Sequence, residues 1–279
     1  MRLRSLLFVP GDRPDRMEKA LNSGADAVIV DLEDSVLPER KPWARKDVAQ
    51  FLATAGRTAR LMVRVNPLGT ADLAADLEAI LPAKPDALVL PKSESASSVA
   101  ELAAMLGLAH IPILPIATET PKAVFGLGTY GAVANRLCGL TWGAEDLPAA
   151  IGATTARHSD GSYTSPYELA RNLTLFGAHA TGVPAIETVY PNIADREGLK
   201  AYAERGRRDG FSGMMAIHPT QVAIINAAFA PTQAEIAHAR AIISAFADNP
   251  GAGAVQLDGK MIDRPHLLAA KRLLAMTQE

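Results

Sequence analysis

The chain has 279 residues, of which 48% are hydrophobic, and a formal charge of −2 from 28 basic and 30 acidic side chains. That length buries one large core and lies near the roughly 250 residues of a single (β/α)8 barrel. Basic and acidic residues are mixed along the chain, which excludes the electrostatic footprint of a nucleic-acid or anionic-membrane binder and leaves a small molecule as the expected partner. Cys138 is the only cysteine, so an internal disulfide is excluded and a reducing, cytoplasmic setting is expected. The apolar run at residues 6–9 is shorter than the roughly 7 to 15 residues of a signal-peptide core, and no stretch approaches the ~20 apolar residues of a membrane span.

A strand-then-helix rhythm runs through the sequence. Residues 5–9 read as a first strand closed by Pro10 and Gly11, with Pro14 in the first turn of the helix that follows. Residues 27–31 continue into the acids Asp31, Glu33 and Asp34, and a helix is expected from about 42 to 54. A third strand at 61–65 carries Arg64 and ends at Asn66, and a fourth at 87–90 ends in Pro91 and Lys92. The fifth, 113–116, runs into ATET, and the sixth, 137–141, into WGAED. A polar loop, 154–164, precedes a helix announced by Ser165, Pro166 and Glu168 as a capping box. Strand seven at 186–189 ends in YPN, and strand eight at 214–217 in His218 and Pro219. Eight short apolar strands alternating with helices predict a closed (β/α)8 barrel over residues 1–230, with an open doubly wound sheet as the runner-up. Residues 231–279 form an extension: a capping box from Thr232 to Glu235, a hairpin turn at Asp258 and Gly259, and a last helix to about 276.

The polar residues fall at strand exits. In a barrel the exits converge on the rim where active sites are built, so Asp31, Glu33, Asp34, Arg64, Asn66, Lys92, Glu119, Glu145, Asp146, Asn192 and His218 predict an acid-rich mouth. Each has a plainer reading. Asp34 and Ser35 suit a turn, Glu119 suits the start of a helix, and Asp146 suits a turn before Pro148. Together, carboxylates from adjacent strand ends can hold a hard divalent cation such as Mg2+, which takes oxygen ligands and keeps several waters. Arg64 inside an apolar strand needs an anion: a substrate carboxylate or enolate, or a neighbouring rim acid. His218 reads as either a site residue or a hydrogen-bonded loop residue, and the loop with His158 and Asp160 as either a lid or an ordinary connection. Gly126, Gly128 and Gly131 match Gly-x-Gly-x-x-Gly, but after a helix and before a strand, the reverse of the dinucleotide fingerprint.

SLLFVPGDRP, DLEDSV with Lys41 and Arg45 downstream, RVNP, LPK, ATET, GLTWGAEDL, GFSGMMAIHP and DGKMIDRPH occur in order over nearly the whole chain. In these motifs the chain resembles the citrate lyase beta-subunit-like CoA-ester lyases of the HpcH/HpaI aldolase superfamily. The resemblance implies a TIM barrel assembled as a homotrimer or hexamer. It also implies Mg2+-dependent (or Mn2+-dependent) cleavage or formation of a C–C bond in a β-hydroxyacyl-CoA of the malyl-CoA or citramalyl-CoA type, giving an acyl-CoA and a 2-keto acid. Carried over by position, Glu119 and Asp146 resemble the metal ligands and Arg64 the group that stabilises the enolate oxygen. Asp263 resembles an acid delivered into a neighbour's site, although its spacing alone reads as packing, and Arg13 and Lys19 resemble the CoA-phosphate contacts. Asp31, Glu33 and Asp34 then form a supporting layer around metal-bound waters and Arg64. Two positions depart from the pattern, Glu187 where related chains often have Asp and Met214 where some have Lys, and both bear on distal substrate contacts. Three alternatives share these residues: a CoA-independent pyruvate aldolase, a malyl-CoA-type thioesterase, and a lyase subunit that needs an acyl carrier protein.

Overall fold

The computed structural model describes residues 3–56 and 58–275. They form two compact units, Leu3–Phe229 and the described part of Ala230–Glu279.

In the first unit the elements run β1 (Ser5–Pro10), α1 (Pro14–Leu21), β2 (Ala27–Asp31), α2 (Lys41–Thr54), β3 (Arg60–Arg64), α3 (Ala71–Ile80), β4 (Ala87–Leu90), α4 (Ala96–Met105) and β5 (Ile113–Pro115). They continue with α5 (Pro121–Gly126), β6 (Leu140–Thr141), α6 (Asp146–Ile151), α7 (Ser165–Thr181), β7 (Ala185–Glu187), α8 (Arg196–Asp209), β8 (Gly213–Ala216) and α9 (Pro219–Ala228). The eight strands are parallel neighbours in the order β5-β4-β3-β2-β1-β8-β7-β6. Isolated parallel bridges, Ile113 to Leu137 and Ile116 to Thr141, bring β5 and β6 together. The sheet thus closes into a (β/α)8 barrel, and the open doubly wound alternative falls.

Side chains alternate across each strand, so one set fills the barrel and the other meets the helices. Leu6, Ile29, Met62, Val89, Leu114, Ile186 and Met215 pack together as the inner cluster. Val28, Val30, Leu61, Val63, Leu88 and Leu90 join the cluster shared with the helices. The same alternation carries Asp31 and Arg64 to the inner side, two residues beyond Ile29 and Met62. Strand β6 is shorter than the apolar run at 137–141 predicts, because Leu137 contributes only a bridge.

One expected helix cap is not formed. Thr70 and Thr120 cap α3 and α5 with their side chains, but α7 has Thr164 at its N-cap and no side-chain cap. The capping box expected from Ser165 does not form. Glu168 instead binds Arg205 of α8 through both carboxylate oxygens, a charge-assisted pairing that outcompetes a neutral cap.

The second unit contains α10 (Gln233–Ala247), the antiparallel pair β9 (Ala254–Leu257) and β10 (Lys260–Asp263), and α11 (Arg264–Ala275). The capping box of Thr232 and Glu235 is present. Asp258 and Gly259 both have positive φ, 49° and 75°, as a two-residue hairpin turn requires. The last helix was expected to reach Met276, which lies outside the described residues. Among the described residues no helix is long and apolar enough to cross a membrane.

Candidate active site

Strands β2 and β3 pair in a register that sets Asp31 opposite Arg64. The guanidinium therefore meets the carboxylate face on, with Nε donating to Oδ1 at 2.6 Å and Nη2 to Oδ2 at 2.7 Å. Backbone N–H groups of Glu33 and Ser35 also donate to Asp31. Burial works against the Asp31 charge, but these donors outweigh it and hold the carboxyl below its usual range. Arg64 Nη1 lies 2.8 Å from Glu33 Oε2, and its Cζ sits 5.0 Å from the centre of the Phe8 ring. The plain reading of Arg64, an ion pair with a rim acid, is correct, and the paired guanidinium still lines the mouth.

Lys92 ties this cluster to Glu119. It adopts φ 50°, a left-handed conformation uncommon for a residue with a side chain. Its N–H donates to Glu119 Oε2 and its Nζ reaches Glu33 Oε1 at 2.6 Å. Burial raises the Glu33 carboxyl despite both cations. Asp34 is more than half exposed and stands 3.9 to 4.0 Å from Lys92 and Arg64. Behind the loop, Lys41 Nζ donates to Leu32 O and Glu33 O and to Asn66 Oδ1. Asn66 in turn donates to Asp76, which Arg45 holds. The downstream Lys41 and Arg45 are thus the braces of the DLED turn.

Glu119 is 4% exposed. Burial first, then the charges of Glu33 and Asp146, push its carboxyl up to about 8 against the opposing pull of Lys92. Asp146 begins α6. A buried Glu119 carboxylate whose charge is opposed by burial and by the nearby Glu33 and Asp146 is an environment that a cation relieves. Among the described residues no group of three or more His, Cys, Asp or Glu is arranged to hold a metal. Two carboxylates from neighbouring strand ends suit a hard ion that completes its shell with water and ligand oxygens, as Mg2+ does.

Beside Phe8 the mouth opens into a cavity of about 300 Å³ floored by Asp31, Ser35 and Arg64. A second cavity of about 450 Å³ shares Phe8, Val9, Pro10 and Ile217 with it and is lined by Arg13, Arg16 and Lys19. Among the described residues Arg13 and Lys19 are loosely paired with Asp15, at 3.7 and 3.9 Å. His218 lines this cavity too, but its Nδ1 caps α9 by accepting from Thr220 N.

A model of the HpcH/HpaI aldolase/citrate lyase family matches residues 4–219. The chain belongs to that family, a family of lyases. This HpcH/HpaI member is 37% identical over 273 residues to a citrate lyase subunit beta-like protein of Mycobacterium tuberculosis, covering 98% of this chain and 95% of that one. It is 37% identical over 284 residues to a (3S)-malyl-CoA thioesterase of Cereibacter sphaeroides, covering 99% and 94%. Among solved structures, CitE from M. tuberculosis in complex with magnesium, acetoacetate and coenzyme A superposes with a TM-score of 0.85 at 35% identity, over 100% of this chain and 99% of that one.

The structure brings together Asp31, Glu33, Arg64, Lys92, Glu119 and Asp146, and sets Asp34 at their edge. Asp263 belongs to the second unit, at the end of β10, where its Oδ1 lies 2.5 Å from His266 Nδ1. Asn192 and Glu145 are exposed. The expectation that Glu187 and Met214 bear on distal substrate contacts is not met. Both are fully buried, and Met214 packs in the outer, helix-facing cluster. Glu187 receives Arg171 Nε at 2.7 Å, Trp142 Nε1 at 2.5 Å and Tyr202 OH at 2.9 Å. Strand alternation explains this: Ile186 faces the barrel interior, so Glu187 faces the helices. The 154–164 loop is anchored at its end, where Tyr163 packs on Trp142 at 5.1 Å and Arg157 stacks on Tyr163 at 3.9 Å, while His158 and Asp160 are exposed. Thr118 and Gly143, which carry no charge and thus no sequence signal, join the two acid-bearing strand ends.

Proposed function

We propose that the protein is a Mg2+-dependent carbon–carbon lyase acting on a β-hydroxyacyl-CoA of the malyl-CoA or citramalyl-CoA type, giving an acyl-CoA and a 2-keto acid or running in reverse. The observation that carries this reading is the mouth itself: a guanidinium fixed by Asp31 and Glu33 beside a buried Glu119 and a nearby Asp146. Glu119 and Asp146 would hold Mg2+, with Mn2+ as the alternative ion. When bound, the ion supplies Lewis-acid polarisation of the keto-acid carbonyl.

The chain's own groups do the rest. Arg64 stabilises negative charge on the thioester enolate oxygen, and its two carboxylate partners orient it before substrate arrives. Asp31, Glu33 and Asp34 support this arrangement rather than bind the ion. Arg13 and Lys19, loosely paired at the lip of the second cavity, contact the CoA phosphates. Asp263, reaching a neighbouring subunit of a homotrimer or hexamer, takes or returns the proton at the thioester α-carbon. The lone cysteine fits a cytoplasmic setting.

A thioesterase reading stands second, favoured by the similarity to the C. sphaeroides (3S)-malyl-CoA thioesterase. Incubation of the isolated protein with Mg2+ and malyl-CoA, citramalyl-CoA and related esters, with products read by mass spectrometry, separates the readings. An acyl-CoA with a keto acid supports the lyase. Free CoA with the intact hydroxy acid supports the thioesterase, and no turnover until an acyl carrier protein is added supports the subunit alternative.

A further inference from the structure

Seven of the eight barrel junctions are ladders with consecutive paired residues, whereas the β5–β6 junction has isolated bridges among the described residues. Its backbone hydrogen bonds are Cys138 N to Ile113 O at 3.1 Å and Ala117 N to Thr141 O at 2.9 Å. This junction is the seam of the barrel. The two acids argued above to hold Mg2+ leave from opposite sides of it, Glu119 after β5 and Asp146 after β6.

Past the last bridge the seam is joined by side chain. Thr118, fully buried, donates from Oγ1 to Gly143 O at 3.1 Å, and Gly143 N donates to Thr118 Oγ1 at 3.1 Å. One hydroxyl thus satisfies both backbone groups of the residue opposite, as a strand partner would. Thr118 directly precedes Glu119, and Gly143 stands three residues before Asp146. The approach is close: a Cβ on Gly143 would lie 2.6 Å from Glu119 Cγ and 3.1 Å from Ile116 Cγ2. Only glycine lets the Glu119 side chain lie across the start of the β6 exit.

We propose that Thr118 and Gly143 form a clasp across the β5–β6 seam that sets the separation of Glu119 and Asp146, making Thr118 a positioning residue for Mg2+. The inference rests on the reading that those two acids hold the ion. Without the clasp, the strand ends at an under-bonded junction are free to separate, and an ion must then draw them together as it binds. The ion and the clasp therefore act on the same opening of the barrel.

The test is direct Mg2+ binding to the purified, full-length protein by isothermal titration calorimetry, with Thr118→Val, Thr118→Ser, Gly143→Ala and Glu119→Gln. Valine keeps the shape of threonine and removes both hydrogen bonds. Loss of two ordinary hydrogen bonds weakens Mg2+ binding by about tenfold or more, and serine restores it. Gly143→Ala, by displacing Glu119, weakens it as well. A folded Thr118→Val protein that binds Mg2+ like the wild type overturns the clasp while leaving the metal reading intact. Glu119→Gln binding Mg2+ like the wild type, or a wild type that binds none, overturns the metal reading and the clasp with it. If Thr118→Val does not fold, hydrogen exchange on the wild type decides: Mg2+ slows exchange of the Gly143 amide if the clasp and the ion share the seam, and unchanged exchange overturns the proposal.

Discussion

Arg64 and Asp31 face one another in strand register and are joined by two parallel hydrogen bonds of 2.6 and 2.7 Å. The pair is almost wholly removed from water, with side-chain exposures of 13% and 2%. A planar fork is needed to span both carboxylate oxygens and still reach Glu33, which an ammonium cannot do. Arg64→Lys is expected to lower kcat/KM on the order of 100- to 1000-fold, in steady-state assays with the best CoA ester. Asp31→Ala, which strips the guanidinium of its main partner, is expected to cost about 3 to 5 kcal/mol in urea unfolding. Near-normal turnover of Arg64→Lys would remove Arg64 from the chemistry.

The same pair gives a pH signature. Burial raises the Asp31 carboxyl, but Arg64 and the loop N–H groups bring it below its unfolded value of 3.8. A carboxyl lowered on folding contributes stability that is complete above the unfolded value and is lost as pH falls through the folded one. The stability difference between wild type and Asp31→Asn is thus expected to be constant from pH 5 to 7 and to shrink below about pH 4. Urea unfolding across that range measures it, and a gap that widens in acid contradicts the assignment.

Glu119→Gln and Asp146→Asn are expected to abolish stabilisation by Mg2+. Ligand at a hundred times its Kd adds about 2.7 kcal/mol to a folded protein that alone binds it. Thermal unfolding with and without Mg2+ should show a clear rise in Tm for the wild type and none for either variant. A variant that keeps the full rise is not missing a metal ligand.

Asp263→Asn is expected to depress kcat while leaving CoA binding unchanged, since the role proposed for it is to handle a proton and not to hold the nucleotide. If it acts in a neighbour's site, Asp263→Asn and Arg64→Ala subunits, each inactive alone, regain part of the activity when co-assembled. Failure to complement in mixed oligomers, with each parent assembled normally, would place the acid within its own subunit.

Glu187 is expected to matter for stability and little for substrate affinity. It is fully buried with Arg171, whose charge would be left among apolar groups and the partly exposed Asp209. Glu187→Ala should cost about 3 to 5 kcal/mol in denaturant unfolding. An unchanged unfolding midpoint with a raised KM would return Glu187 to the substrate.

The strand–helix alternation, the polar strand exits and the Asp258-Gly259 hairpin are visible in the amino-acid order alone, because each depends on local periodicity or on two adjacent backbone conformations. The acids and Arg64 were legible for the same reason: charge at the end of an apolar run stands out. Which groups meet was not. Asp31 reaches Arg64 through the register of β2 on β3, and a slip of one residue would turn every side chain to the other face. Glu187 looked like a substrate contact until alternation along β7 turned it toward the helices. Glu119, Asp146, Thr118 and Gly143 converge only because the barrel closes, and closure depends on the twist and packing of all eight strands rather than on any one segment. Sequence alone determined which residues carry the charge and at which end of each strand it lies; tertiary structure decided their partners, since those contacts join strand ends that the chain itself keeps apart.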